Sequence, residues 1–256
     1  MNGLQVAIGE TTLAGYLLAL ARTAGFVLVS PPFNTRGVPA QARAGVAIAL
    51  ALPLTPAMMA TSPDLTSMTL LLQMLGQIVM GLALGFFVLA AVATLQSVGD
   101  MFDAVGGFQM SVALDPLMLV QTSVMGRLYQ LLAVTLLFLT DGHELVVAGL
   151  ARSAQIMPTP SLNWGDVAGA VTSDVAGVMA GALEIAAPVM AVMFVTDIAL
   201  GLLTRAAPML NAFALGFPLK IGFSLLLIGL VVVRVPGLLD GLVRQAVGAG
   251  LRLTGG

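Results

Sequence analysis

Two groups of polar side chains stand where this apolar chain could do chemistry. The first is Asp141-Gly142-His143-Glu144, which holds the only histidine of the sequence. A histidine flanked by carboxylates can take up and pass on a proton near neutral pH. The second is the stretch Pro188–Lys220, PVMAVMFVTDIALGLLTRAAPMLNAFALGFPLK. It sets Asp197, Arg205 and Lys220 in apolar sequence punctuated by Pro188, Pro208 and Pro218. An ionised side chain at mid-bilayer costs roughly 2.5–3.5 kcal/mol, so each of these needs a partner. On a helix, Asp197 and Arg205 lie about 12 Å apart along the axis. They cannot pair directly, so their partners come from elsewhere in the chain or from other subunits. The Asp141–Glu144 cluster also has a plainer reading, as a polar helix break at the water interface.

Other chemistries find no support. With no cysteine and one histidine, a zinc site would have to be mostly carboxylate. There is no H-E-x-x-H, no P-loop, and no G-x-G-x-x-G opening a helix after a strand. A serine nucleophile would have only His143 as its base, and no G-x-S-x-G elbow is present. No catalytic residue, metal or cofactor is therefore expected. A net charge of −2 offers no basic field to nucleic acid.

The elements that must carry these residues are set by composition. The chain is 59% hydrophobic and 9% charged, with a mean hydropathy of +1.04, against about 25% charged residues in soluble domains. This implies an all-α integral membrane protein. Its first residues, MNGLQVAIGE, lack a basic leader and read as retained. A crossing helix needs about 20 mostly apolar residues. The uncharged run Leu65–Gly99 exceeds that, and Ala44–Pro63 just meets it, with kinks expected at Pro53 and Pro56. The runs Thr11–Ala21 (stopped by Arg22), Leu128–Thr140, Ile185–Thr196 and Ile221–Val233 fall short. About six apolar segments follow, at 11–35, 44–63, 65–99, 121–151, 171–203 and 213–235, in one membrane domain. They are either conventional crossings that tolerate charge, or partial hairpins and broken helices that need protein or water around their irregular backbone.

Loop charge does not orient the chain. Six crossings put Arg36, Arg43, Arg127 and Arg205 on one side, and Arg152, Arg234, Arg244 and Arg252 on the other. Between Leu95 and Arg127 the Gly106-Gly107 pair marks a flexible break, and Asp115-Pro116 a turn or helix start. This connection reads as a membrane-surface loop or as a loop folded inward to occlude something. MPTPSLNWGD reads as an interfacial loop anchored by Trp164. Glycines at GxxxG spacing occur at Gly81/Gly85, Gly165/Gly169, Gly177/Gly181 and Gly237/Gly241. Gly81/Gly85, inside the long uncharged run, is the best candidate for close helix packing.

Four blocks then resemble one family. PPFNTRGVPAQARAG (Pro31–Gly45), QIVMGLALGFF (Gln77–Phe87) with the following LQSVGDMFD, FLTDGHELVVAGLARS (Phe138–Ser153) and the Pro188–Lys220 stretch are similar, in order, to the FliR family of flagellar export-gate proteins. The injectisome homologues share the pattern. The resemblance implies a non-enzymatic subunit of a helical, funnel-shaped complex with FliP-like and FliQ-like partners, in the bacterial inner membrane at the flagellar basal body. FlhB-like and FlhA-like components would be further partners. Unfolded flagellar proteins would pass through the shared channel, and the subunit would need no cofactor.

The resemblance also implies site residues. A plug loop falls at 104–118 and includes Gly106, Gly107, Phe108, Gln109, Met110, Leu114, Asp115 and Pro116. Bulky apolar side chains there would seal a narrow pore, as hydrophobic constrictions do. The family commonly carries more glycine where this chain has Ser111-Val112-Ala113. Arg36, Arg43, Asp197, Arg205, Asn211 and Lys220 are expected to be buried polar assembly contacts. A rival reading from another class is a proton-coupled secondary transporter using Asp197 or the Asp141–Glu144 cluster, but no internal duplication supports it.

Overall fold

Helix lengths in this chain answer to two things, uninterrupted apolar sequence and glycine-mediated contact. The computed structural model describes residues 2–31, 33–35, 37–59, 68–107, 123–159, 164–206 and 212–255. Among these are eight helices and no strand: α1 Asn2–Val29, α2 Ala40–Met59, α3 Met68–Gly106, α4 Val124–Leu139, α5 Gly142–Ile156, α6 Trp164–Ala206, α7 Ala212–Val232 and α8 Val235–Leu253. Four of them are long and apolar enough to cross a membrane, or up to six crossings if each of two broken pairs counts as one. The chain is an all-α, multi-pass membrane protein.

α2 runs unbroken through Pro53 and Pro56. The segment expected at 121–151 is divided at Thr140 and Asp141. Asp141 adopts a left-handed backbone with φ 55°, a conformation that aspartate tolerates better than most residues. Its carbonyl accepts the Glu144 N–H at 3.0 Å, which starts α5. α3 has 39 residues and α6 has 43, about 58 and 64 Å at 1.5 Å per residue. Neither fits a hydrocarbon core of about 30 Å, even at the steepest ordinary tilt of about 40°.

The chain forms two compact units. The first comprises Met1–Ala91, Asp141–Val175 and Gly241–Gly256. Here α1 packs against α2, with Gly15 lying on Met59 and the Thr23 hydroxyl donating to the Ala47 carbonyl at 2.9 Å. α1 and α3 run alongside each other in the same direction, with Gly81 against the Arg22 carbonyl and Gly85 against the Phe26 carbonyl. A methyl group at Gly81 would overlap that carbonyl, so this crossing depends on the missing side chain. Among the described residues Gly169, Gly177, Gly181, Gly237 and Gly241 make no such close approach. Phe87, Ala91 and Ala246 form the core where α3 meets α8, and Gly149 of α5 lies on Val247.

The second unit comprises Val92–Thr140 and Ala176–Asp240. The buried face of α4, Met125, Tyr129, Ala133 and Leu137, repeats every fourth residue. Phe102 of α3 meets the Tyr129 ring edge-on at 5.6 Å between centroids. α6 buries Ala182, Ala186, Val189 and Met193 and leaves much of its remaining surface exposed. Its contacts with α7 run Leu200 to Gly216, Asp197 to Lys220, and Met193 to Ser224. One index falls as the other rises, so the two helices form an antiparallel ladder.

Candidate functional site

Three polar constellations remain once the apolar packing is accounted for. In the first unit the Arg22 side chain is fully buried (0% exposed) within the candidate span Gly9–Val29. Its Nε–H donates to Gln77 Oε1 at 2.6 Å, one terminal nitrogen donates to Ser153 Oγ at 3.2 Å, and the other to the Met157 carbonyl at 2.7 Å. Gln77 is also fully buried, and its amide donates to the Pro158 carbonyl at 2.6 Å. All three of these Arg22 acceptors are neutral. Met157 is the C-cap of α5, so the guanidinium sits at the negative end of that helix, where a cation is favoured by up to about 2 kcal/mol in partly buried settings. Arg22 and Gln77 thus satisfy carbonyls at and just past the end of α5 that no intrahelical N–H could reach.

In the second unit Lys220 Nζ contacts both oxygens of Asp197, at 2.8 and 2.9 Å. This bidentate pair is the middle rung of the α6–α7 ladder. Its side chains stay 21% exposed for Lys220 and 49% for Asp197. In an apolar span such a pair must border water or another protein surface, because lipid would leave its open side unsolvated.

The third constellation joins the end of α3 to the start of α4. Asp103 is 2% exposed and its Oδ1 accepts the Met125 N–H at 3.3 Å. Ser123 caps the same helix by accepting the Gly126 N–H at 2.8 Å. Gly99 lies against the Met125 carbonyl, and the Asp100 carboxylate lies against Gly126.

The expected site residues fall out unevenly. Gly106 is the last residue of α3 and so belongs to the helix, not to the loop expected from 104. Gly107 follows with φ 80°, the left-handed position at which helices commonly end on glycine. Phe108, Gln109, Met110, Leu114, Asp115 and Pro116 lie outside the described residues, as do Arg36 and Asn211. Of the expected buried contacts, Asp197 and Lys220 come together, but the chain alone does not bury them. Arg205 is exposed in the last turn of α6, and Arg43 is half-buried with its Nε unpaired among the described residues. Within the single chain Asp197 shares with Met193 the side of α6 that meets α7, yet it stays 49% exposed. Asp141, His143 and Glu144 sit at the α4–α5 break, and among the described residues no three His, Asp or Glu side chains gather as a metal site.

Sequence reasoning registered Arg22 only as an interruption. A search for charge partners misses it because its partners are an amide, a hydroxyl and a carbonyl. The available signal was a lone arginine inside an apolar run, together with a lone glutamine, Gln77, inside another.

Long apolar helices, broken spans and buried polar clasps define a multi-pass membrane protein whose described residues bring together no metal-binding cluster. The class becomes specific on comparison with known proteins. Residues 13–246 match the family described as bacterial export proteins, family 1, and the chain belongs to it. It is 29% identical over 218 residues to the flagellar biosynthetic protein FliR of Bacillus subtilis, covering 83% of this chain and 84% of that one. FliR of Escherichia coli is 27% identical, with 82% of each chain covered. The Yop proteins translocation protein T of Yersinia pestis is 30% identical over 194 residues, 73% of each chain. The chain is accordingly an export-gate subunit of the flagellar and type III secretion kind.

Proposed function

We propose that this chain is a non-enzymatic core subunit of the flagellar export gate. It sits in the bacterial inner membrane at the basal body and forms part of the channel through which unfolded flagellar subunits leave the cell. The observation that carries this reading is the family match across residues 13–246, together with FliR proteins among the relatives. FliP-like and FliQ-like subunits are the proposed immediate partners, with FlhB-like and FlhA-like components beyond them. The channel plug in this reading follows the end of α3 at Gly106 and includes Gly107, Phe108, Gln109, Met110, Leu114, Asp115 and Pro116. Asp197, Lys220, Arg205, Arg43, Arg36 and Asn211 bind neighbouring helices or subunits and not a transported solute. The exposed, bidentate Asp197–Lys220 pair supports that assignment, since an assembly partner would cover its open side.

The test is purification of the chain in mild detergent from cells that encode the whole export system. The expected product is a complex of defined native mass containing two small membrane partners. A monodisperse single chain, stable alone and binding a small solute, would instead favour a transporter. The similarity to the Yersinia translocation protein supports a second reading, in which the same fold serves an injectisome. Restoration of motility in a flagellar mutant, without restoration of injectisome secretion, separates the two.

A further inference from the structure

Glu184 stands by itself in the middle of α6. It is the one charged residue between Asp174 and Asp197, about 15 Å from the first and 20 Å from the second along the helix axis. The surrounding stretch belongs to the candidate crossing Gly165–Ala206, of mean hydropathy 2.1. Glu184 is exposed, and among the described residues nothing hydrogen-bonds or ion-pairs with it. Pro188, one turn further on, has no N–H, so the Glu184 carbonyl also lacks its usual helical donor. At about 100° per residue, Glu184 points opposite the buried face of Ala182, Ala186, Val189 and Met193. Around it the open face is built of small side chains, Gly177, Ala180, Ala187 and Ala191, all exposed. A β-carbon built on Gly177 meets nothing within 4 Å.

Hydrocarbon cannot satisfy this position. A carboxylate at membrane depth needs a partner, and a backbone carbonyl there needs a donor. The glycine and alanines on either side let a second helix come close enough to supply both. A parallel second copy joined through the same face would set Glu184 against Glu184, and like charges so placed repel. We infer that the Glu184 face of α6 is a docking surface for a transmembrane helix of a different subunit, one that brings small side chains and an arginine or lysine level with Glu184. The guanidinium fork of an arginine reaches the carboxylate and the freed carbonyl together. This surface is turned away from α7, because α6 meets α7 through Met193 and Asp197 on its other side. It is therefore separate from the Asp197–Lys220 pair. The inference deepens the reading of the chain as an export-gate subunit and rests on it.

Charge and bulk test the surface separately in the assembled complex. Glu184→Lys should lower co-purification of one partner subunit by more than about tenfold. Ala187→Leu, which adds bulk without charge, should lower recovery of the same partner. Exchanging that partner's facing arginine or lysine for glutamate should restore its recovery with Glu184→Lys. Unchanged recovery in either variant overturns the inference. A second measurement uses the unaltered chain and stands even if the variants do not fold. Dicyclohexylcarbodiimide, a lipid-soluble carboxyl reagent, should modify Glu184 in the chain separated from its partners and leave it unmodified in the complex, as read by peptide mass. Equal modification in the two states places the carboxyl against lipid, and modification of the complex by a water-soluble carbodiimide places it against water. Either result overturns the inference. Failure of the export reading itself registers separately, as absence of the multi-subunit mass in the unaltered chain.

Discussion

Arg22 and the Asp197–Lys220 pair are both charged groups in apolar helices, and the chain treats them in opposite ways. Arg22 is held by an amide, a hydroxyl and a backbone carbonyl, with no carboxylate among these three. It is nonetheless fully enclosed, with three nitrogens spent on Gln77, Ser153 and the end of α5. Asp197 and Lys220 have each other in good geometry, yet remain partly open. Full satisfaction thus follows from the number of directed acceptors around a charge, and formal charge balance does not guarantee enclosure. The first arrangement is complete within one chain. The second has a free side, and a free side in a membrane protein is a place for something else to bind.

Several substitutions would break or sharpen that contrast. Arg22→Ala should have the largest effect. It orphans several buried acceptors at the end of α5, each at about 1–3 kcal/mol, and empties a large buried volume as well. The measurement is thermal unfolding of the purified chain or complex, and Arg22→Lys should recover only part of the loss because one ammonium cannot reach three separated acceptors. Gly81→Val comes next, about 1–3 kcal/mol or more from overpacking against the Arg22 carbonyl. It would be read by the same unfolding curve and by a fall in the folded fraction on size exclusion. Gln77→Leu should cost about 1–3 kcal/mol by stranding the Arg22 Nε–H and the Pro158 carbonyl.

Asp197→Ala should be mildest in the isolated chain, about 0–1 kcal/mol, as for other solvent-reaching ion pairs. In the assembled complex the same change should lower recovery of partner subunits, measured by co-purification. The exchange Asp197→Lys with Lys220→Asp should restore part of it. Equal losses from Asp197→Ala and Arg22→Ala in the isolated chain would erase the distinction between the two sites.

What could be read beforehand followed physical lines. The uncharged run Leu65–Gly99 announces α3 because no charge interrupts it, and Asp141-Gly142 announces the α4–α5 break because both residues tolerate left-handed backbone. α8 was not expected: Arg234, Asp240, Arg244 and Arg252 depress its hydropathy, while Val235, Leu239, Val243 and Ala246 still present one buried stripe. Gly81/Gly85 could be picked from its apolar setting, but that its partner is the Arg22 turn could not. The Lys220 partner of Asp197 was equally hidden, since it depends on how α6 and α7 are aligned and not on spacing along either helix.

The alignment of α6 with α7 has one more consequence. Sliding either helix by a turn, about 5.4 Å, would bring Lys220 opposite Met193 or Gly201, neither of which carries a carboxylate to pair with it. The ladder thus works like a keyed spline, free in principle to glide on smooth apolar flanks yet admitting a single seating. Whatever forces act along these helices during secretion, slippage between them would have to shear a bidentate ion pair first.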